Sequence, residues 1–184
     1  MKIKKYTDIK NILILHGYGT NPNECFYKNM FNSLLKSGHS VKLPLLPNAD
    51  NPNDIEQKNS IKGKFDILVA HSFGCVTALR YAEENKLELM ILISGFVDNN
   101  FSDGDPDIEI LKNSSTWKFN FDKIKSNCKK IYVLYPYLDT SVTQSQVKKL
   151  ASLLECKIIK FQQECDHACG DKEYDLVKLV NKLI

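Results

Sequence analysis

The stretch Phe65-Asp66-Ile67-Leu68-Val69-Ala70-His71-Ser72-Phe73-Gly74 decides the fold. Phe65 to Ala70 is a compact apolar run of strand composition. From Ser72 to Glu84, apolar residues recur at 73, 76, 79 and 82, a helical spacing. A strand therefore turns into a helix across Ser72, and such a tight turn favours small residues on either side. Ala70 and Gly74, two before and two after Ser72, meet that need. The pattern is G-x-S-x-G with alanine for the first glycine, in the strand–turn–helix setting of a nucleophile elbow. That turn exposes the Ser72 hydroxyl beside a helix N-terminus, where the dipole and unpaired N–H groups favour developing negative charge. Alone, the pentapeptide also fits a serine that only caps its helix.

The rest of the chain repeats the strand-then-helix alternation. Asn11 to Leu15 is a short β-rich run. Pro22 to Ser37 carries apolar residues at 26, 30, 31, 34 and 35, and Gly38 is a helix stop. Val41 to Leu46 is a strand interrupted by Pro44, hence an edge strand. Residues 47–53 form a loop, and a short helix follows near 54–61. Leu87–Ile93, Ile131–Tyr135 and Lys157–Phe161 are strands. Gln144–Leu154 and Tyr174–Leu183 are helices, and residues 97–116 are a polar surface excursion. The expected architecture is α/β: one domain over residues 1–184, with a mostly parallel six-stranded sheet and helices on both faces. In such sheets the working groups lie beyond the carboxyl ends of the strands. The positions to inspect are 16–19, 70–74, 94–98 and 135–141.

Composition narrows the function classes. Of 184 residues, 43% are apolar, about 79 side chains, enough for a core without covalent staples. The net charge of +3, without a long basic cluster, gives no reason to expect nucleic acid. No apolar run approaches the roughly 20 residues that span a bilayer. Met1 to Lys10 lacks the apolar core of a signal peptide, so a cytoplasmic protein is expected. The six cysteines, at 25, 75, 128, 156, 165 and 169, are irregularly spaced, and most are expected to be small buried hydrophobes. Cys165-Asp166-His167-Ala168-Cys169 gathers three soft ligands, but no second pair completes a tetrahedral zinc set. No metal or organic cofactor is expected.

The strand ends supply further chemistry. His16-Gly17-Tyr18-Gly19 follows the first strand, and a glycine-flanked turn there can aim an N–H at the top of the sheet. Paired with the N–H of Phe73, the Tyr18 N–H would make an oxyanion hole, with Gly19 as the fallback. The dinucleotide pattern G-x-G-x-x-G fails because Pro22 stands at the third glycine. A nucleophilic serine needs an imidazole, and the imidazole needs a carboxylate to fix its tautomer. Of the histidines, His71 adjoins Ser72 but is expected to face away. His16 ends a strand, and His39 lies at the opposite edge. His167 follows the last strand and is the best-placed base. Asp139 lies just past the strand at 131–135, with Asp98 as the alternative acid; Asp166 is expected to point elsewhere. The chain order Ser72, Asp139, His167 is that of α/β-hydrolases.

With these residues in place, the sequence resembles the retinoblastoma-binding protein 9 type of small α/β-hydrolase from about residue 11 to the C-terminus. Besides the elbow and the two acid–base positions, the resemblance rests on three stretches. They are Leu79-Arg80-Tyr81-Ala82-Glu83, Leu92-Ile93-Ser94-Gly95-Phe96, and Trp117 with Phe121-Asp122-Lys123-Ile124-Lys125-Ser126-Asn127-Cys128. It implies a serine hydrolase of minimal fold without a large lid, with Ser72 as nucleophile, Asp139 as acid and His167 as base. Three departures stand out. Ala70 replaces a glycine. Asp139-Thr140 stands where the family has Asp-Pro, and Asp166-His167 stands where it has Gly-His. The expected substrate is a small acyl ester, thioester or amide, with Tyr18 and Trp117 lining its pocket. The alternative is a hydrolase scaffold with a decayed triad that acts as a protein-binding module.

Overall fold

The computed structural model describes residues 8–100 and 106–184. The reading of Met1 to Lys10 therefore lies largely outside the described residues, as does the middle of the excursion at 97–116. Six strands run in the order β2-β1-β3-β4-β5-β6, every neighbour parallel. They are β1 (Asn11–Leu15), β2 (Ser40–Lys42), β3 (Ile67–His71), β4 (Leu89–Ile93), β5 (Ile131–Pro136) and β6 (Lys157–Phe161). Parallel strands need crossovers, and the helices supply them. These are α1 (Tyr27–Lys36), α2 (Asp54–Ser60), α3 (Phe73–Glu84), α4 (Pro106–Asn113), α5 (Phe121–Asn127), α6 (Gln144–Leu153) and α7 (Tyr174–Leu183).

Side-chain alternation divides each strand between two cores. Leu13, Leu15, Leu68, Ala70, Met90, Leu92 and Val133 face one layer, with Leu79 of α3, Ile124 of α5 and Leu150 of α6. Ile12, Ile14, Ile67, Val69, Ile91 and Ile93 face the other, with Met30 and Leu34 of α1 and Leu176 and Val180 of α7. The central strands β3 and β4 are buried along their whole length, as a sheet covered on both faces requires. The edge strands are shorter or half exposed: β2 keeps only three residues before Pro44, and in β6 only Phe161 is fully buried. Among the described residues, no helix is long and apolar enough to cross a membrane.

Topology places the working edge. The chain steps outward from β1 to β2, then returns past β1 to β3, so the winding direction reverses between β1 and β3. Such a reversal opens a crevice at the carboxyl ends of the two strands. Leu15 pairs with Ala70 and His71 with Ile93, so β1, β3 and β4 end nearly level. The turns at 16–19, 72–74 and 94–98 therefore share one edge.

Two helices lie where the sequence pattern shows none. Both α4 and α5 are short and lie in polar sequence whose apolar spacing is weak. What fixes the segment leading to α5 is a buried ion pair. The Arg80 guanidinium on α3 meets the Asp54 carboxylate at 2.6 Å, and also bonds the Lys118 carbonyl, Ser115, Thr116 and Glu83.

Candidate active site

Ser72 links β3 to α3 with φ 53° and ψ −127°, a backbone conformation that non-glycine residues rarely adopt. Close packing enforces the turn. A Cβ on Gly74 would lie 2.5 Å from the His16 carbonyl oxygen, so no side chain fits there. A Cβ on Gly17 would lie 2.9 Å from that of Ser72, so the turn after β1 presses directly on the elbow. The Ser72 side chain makes no capping hydrogen bond to α3. The capping role that the pentapeptide alone allowed is thereby removed.

The turn after β1 narrows the choice of anion donors. The Gly17 N–H donates to the Tyr27 hydroxyl at 3.0 Å, and the Gly19 N–H to the Ala49 carbonyl at 2.9 Å. The fallback donor, Gly19, is therefore committed elsewhere. Tyr18 lies between them on the wall of the cavity that contains Ser72. Phe73 opens α3, where the first N–H groups have no partner within the helix.

Acid and base meet across the loops after β5 and β6. The His167 Nδ1 lies 2.9 Å from the Asp139 Oδ1, although 28 residues separate them. The Asp139 side chain is fully buried, and its Oδ1 also accepts the Ser141 and Val142 N–H groups. The alternative acid, Asp98, is bound to Lys149 at 2.6 Å. His16 and His39 hold backbone amides, those of Leu46 and Lys10.

Asp166 points away from the His167 ring and into the acid loop. It accepts the Thr140 N–H at 2.9 Å and the Thr140 hydroxyl, as well as the His167 N–H. Burial acts to raise its pKa, but these hydrogen bonds outweigh burial and the net shift is downward. Two departures from the resembled family thus form one contact. A proline at 140 would have no N–H to give, and a glycine at 166 would have no carboxylate to accept it. Changed together, they brace the acid loop against the base loop.

The base loop is further tied down. His167 and Ala168 both have positive φ, 55° and 52°. The buried Glu173 carboxylate accepts the N–H groups of Glu164 and Cys165, each at 2.9 Å. Cys169 forms a disulfide with Cys25, their Cα atoms 4.4 Å apart. This corrects the expectation for two of the six cysteines; Cys75 and Cys128 are buried free thiols, Cys156 is half-buried and Cys165 exposed. The cluster at 165–169 thus diverges: one thiol outward, the other into a disulfide, and the imidazole toward Asp139.

His71 requires a second correction. It does not face away. Its ring lines the cavity, 4.8 Å from that of His167, and its Nε2 lies 2.8 Å from the His167 carbonyl oxygen. Residue spacing could not have shown this, because its partners are 44 and 96 positions away.

Ser72 and His167 open onto one cavity of about 480 Å³, a size suited to a small molecule. Its walls include Tyr18, Phe96, Val142 and, from α4, Ile108 and Leu111. The Tyr18 hydroxyl donates to Asp107 of α4 at 3.0 Å and joins cover to turn. Trp117 is the third correction. It packs behind Phe96, ring centroids 5.8 Å apart, and its Nε1 donates to the Lys112 carbonyl, so Phe96 supplies the aromatic wall.

No family model matches the chain. Several curated proteins are similar in sequence. Serine hydrolase RBBP9 of Rattus norvegicus is 25% identical over 118 residues, 64% of this chain. That match spans 61% of the rat protein's length. The YdeN protein of Bacillus subtilis (strain 168) is 25% identical over 163 residues, 83% of each chain. Among solved structures, the ydeN gene product of B. subtilis superposes with a TM-score of 0.79 at 23% identity, covering 94% of this chain and 97% of that one. A polyneuridine aldehyde esterase mutant superposes with a TM-score of 0.68 at 16% identity, covering 96% and 99%. The chain has the α/β-hydrolase fold and is similar to the RBBP9 type of α/β-hydrolase.

Proposed function

We propose that this protein is a serine hydrolase that cleaves small acyl esters, thioesters or amides through an acyl-enzyme on Ser72. Asp139 holds His167 with its proton on Nδ1, so Nε2 is the basic atom. His167 takes the Ser72 proton as Oγ attacks the acyl carbonyl. The N–H groups of Phe73 and Tyr18 receive the oxyanion, and losing one such donor costs about 3–4 kcal/mol of barrier. As the tetrahedral intermediate collapses, the His167 imidazolium protonates the departing alcohol, thiol or amine. Water then gives a proton to His167 and attacks the acyl-enzyme; Ser72 leaves protonated and the acid is released.

One observation carries this reading. The Ser72 hydroxyl is held in a left-handed elbow without a capping bond, on the same cavity as an imidazole already oriented by a buried carboxylate. The size of the cavity and the short cover α4 favour small acyl groups over long lipids. The competing reading, a protein-binding scaffold with a decayed triad, predicts an inert serine. A fluorophosphonate probe separates the two, because it reacts with an activated serine. The expected result is an adduct on Ser72 by peptide mass spectrometry, lost in His167→Ala. A folded wild-type protein that forms no adduct would favour the scaffold.

A further inference from the structure

The mechanism above uses Ser72, Asp139 and His167, and gives no role to His71 and Tyr27, whose buried polar groups line the same cavity. Their hydrogen bonds fix where each proton lies. The His167 carbonyl can only accept, so the His71 Nε2, 2.8 Å away, carries a proton and donates it. Burial, and then the neighbouring His167, hold the His71 imidazole well below its ordinary pKa, so at neutral pH it has a single proton. The His71 Nδ1 is therefore an acceptor, and the Tyr27 hydroxyl donates to it at 2.7 Å. Burial pushes the Tyr27 hydroxyl up to about 12, so it keeps the proton it donates. Its oxygen in turn accepts the Gly17 N–H at 3.0 Å. Every donor is used once, in one direction: Gly17 to Tyr27, Tyr27 to His71, His71 to His167.

The two ends of this chain matter. Gly17 begins the turn whose next N–H is the proposed oxyanion donor, and it lies so near Ser72 that a side chain on it would collide there. His167 is the proposed base, held at a positive φ that persists only where the surroundings over-determine it. The relay runs beneath the elbow that lies between them. Resting on the serine-hydrolase reading, we infer that Tyr27 and His71 are positioning residues, a proton-ordered strut that sets the base loop against the oxyanion turn. Neither touches the reacting atoms in this role. The strut works by fixing one tautomer of His71 and, through it, the His167 carbonyl.

The test uses the full chain and two independent readouts. Long-range nitrogen–proton NMR of the histidine rings reports the His71 tautomer without any turnover. The expected form is Nε2–H in wild type and a mixed population in Tyr27→Phe. The second readout is fluorophosphonate labelling and nitrophenyl-ester hydrolysis per folded molecule, with thermal unfolding followed in parallel. Tyr27→Phe is expected to lower kcat and the labelling rate about tenfold with KM unchanged, the loss of one buried hydrogen bond. His71→Leu is expected to lose at least as much. His71→Gln puts an amide N–H where Nε2–H stood, and is expected to recover to within about threefold of wild type. An Nδ1–H tautomer in wild type overturns the strut, and so does a Tyr27→Phe variant that labels at the wild-type rate. So does a His71→Gln variant no better than His71→Leu, because the donor alone is then not what positions the loop. A wild type that never labels overturns the hydrolase reading and the positioning role with it, whereas a labelling wild type with an indifferent Tyr27→Phe overturns the strut alone.

Discussion

Two buried polar networks hold this molecule together, and they are built on opposite plans. The Arg80 network is closed. All five guanidinium donors are used, on Asp54, Glu83, the Lys118 carbonyl, Ser115 and Thr116, and the guanidinium carbon lies over the Phe119 ring, 4.1 Å from its centroid. Arg80 and Asp54 are 7% and 1% exposed. The network at the sheet edge is open. It runs in single bonds from Gly17 through Tyr27 and His71 to the His167 loop, and His167 in turn meets Asp139. The His167 side chain remains 16% exposed on the cavity. A closed network satisfies its partners within the fold, so that removing one of them leaves the others buried and unpaired. An open one keeps a basic atom facing a space that a substrate can fill, and that is the arrangement chemistry requires.

Substitutions should therefore separate the two networks. The largest effect is expected at the open end. Ser72→Ala and His167→Ala should each lower ester hydrolysis by about a thousandfold or more, with little change in unfolding free energy. Hydrolysis by purified Ser72→Ala at the wild-type rate would remove the assignment. Arg80→Ala should do the reverse. It leaves the Asp54 carboxylate buried without its cation, at a cost of about 3–5 kcal/mol, while the activity of each remaining folded molecule is retained. Urea unfolding alongside active-site titration reads both quantities. An Arg80→Ala protein that is stable but inactive would mean that the two networks are not separable.

Much of the edge was legible because its signals are local. The elbow needs small residues at Ala70 and Gly74, and apolar runs ending at 15, 70 and 135 place the strand ends at 15, 71 and 136 to within one residue. Asp139 and His167 could be chosen from their strand ends and chain order. The remainder depends on distant contacts. Thr140 and Asp166 look like two separate departures until the fold brings them within hydrogen-bond reach. Cys25 and Cys169 lie 144 residues apart, and no spacing rule links them. Trp117 looked like a pocket aromatic, but the Arg80 network sets the course of its segment and turns it behind Phe96. That network also gives a structural reason for the resemblance across residues 79–83 and 117–128. Arg80 and Glu83 on α3 bind the segment that leads into α5, Glu83 by accepting the Asn120 N–H at 2.7 Å.

A disulfide sharpens the contrast, because it lies on the edge side only. Cys169 follows the His167 loop directly, and Cys25 precedes α1. Opening a bridge across so long a loop should lower the unfolding free energy by about 2–4 kcal/mol. A non-reducing peptide map should show Cys25 joined to Cys169, and reductant should lower the urea midpoint of wild type but not of Cys25→Ser. Since the bridge holds the base loop, reduction should also slow Ser72 labelling. Equal midpoints with and without reductant would show that the bridge contributes nothing to the fold.

The smallest effect follows from pH, which distinguishes the networks because only one of them runs through imidazole. His71 and His16 are both held below their ordinary value of 6.5, in each case chiefly by burial. Each has one ring nitrogen committed as an acceptor: the His71 Nδ1 to the Tyr27 hydroxyl, and the His16 Nε2 to the Leu46 N–H at 2.9 Å. Protonation would set a donor against the fixed Leu46 N–H at His16, and at His71 it would remove the acceptor of the Tyr27 proton. Below 6.5 the unfolded chain binds protons that the folded one refuses. The stability present above 6.5 is therefore lost as pH falls toward the folded-state values, at about 1.4 kcal/mol per pH unit for each histidine. His71→Gln does not titrate and keeps the donor to His167, so its stability should fall less steeply over the same interval, by one proton's worth of slope. Urea midpoints measured between about pH 7.5 and pH 5 give both slopes directly. Identical slopes would mean that His71 takes up its proton in the folded state, and a doubly protonated His71 could not accept the Tyr27 hydroxyl on which the strut depends.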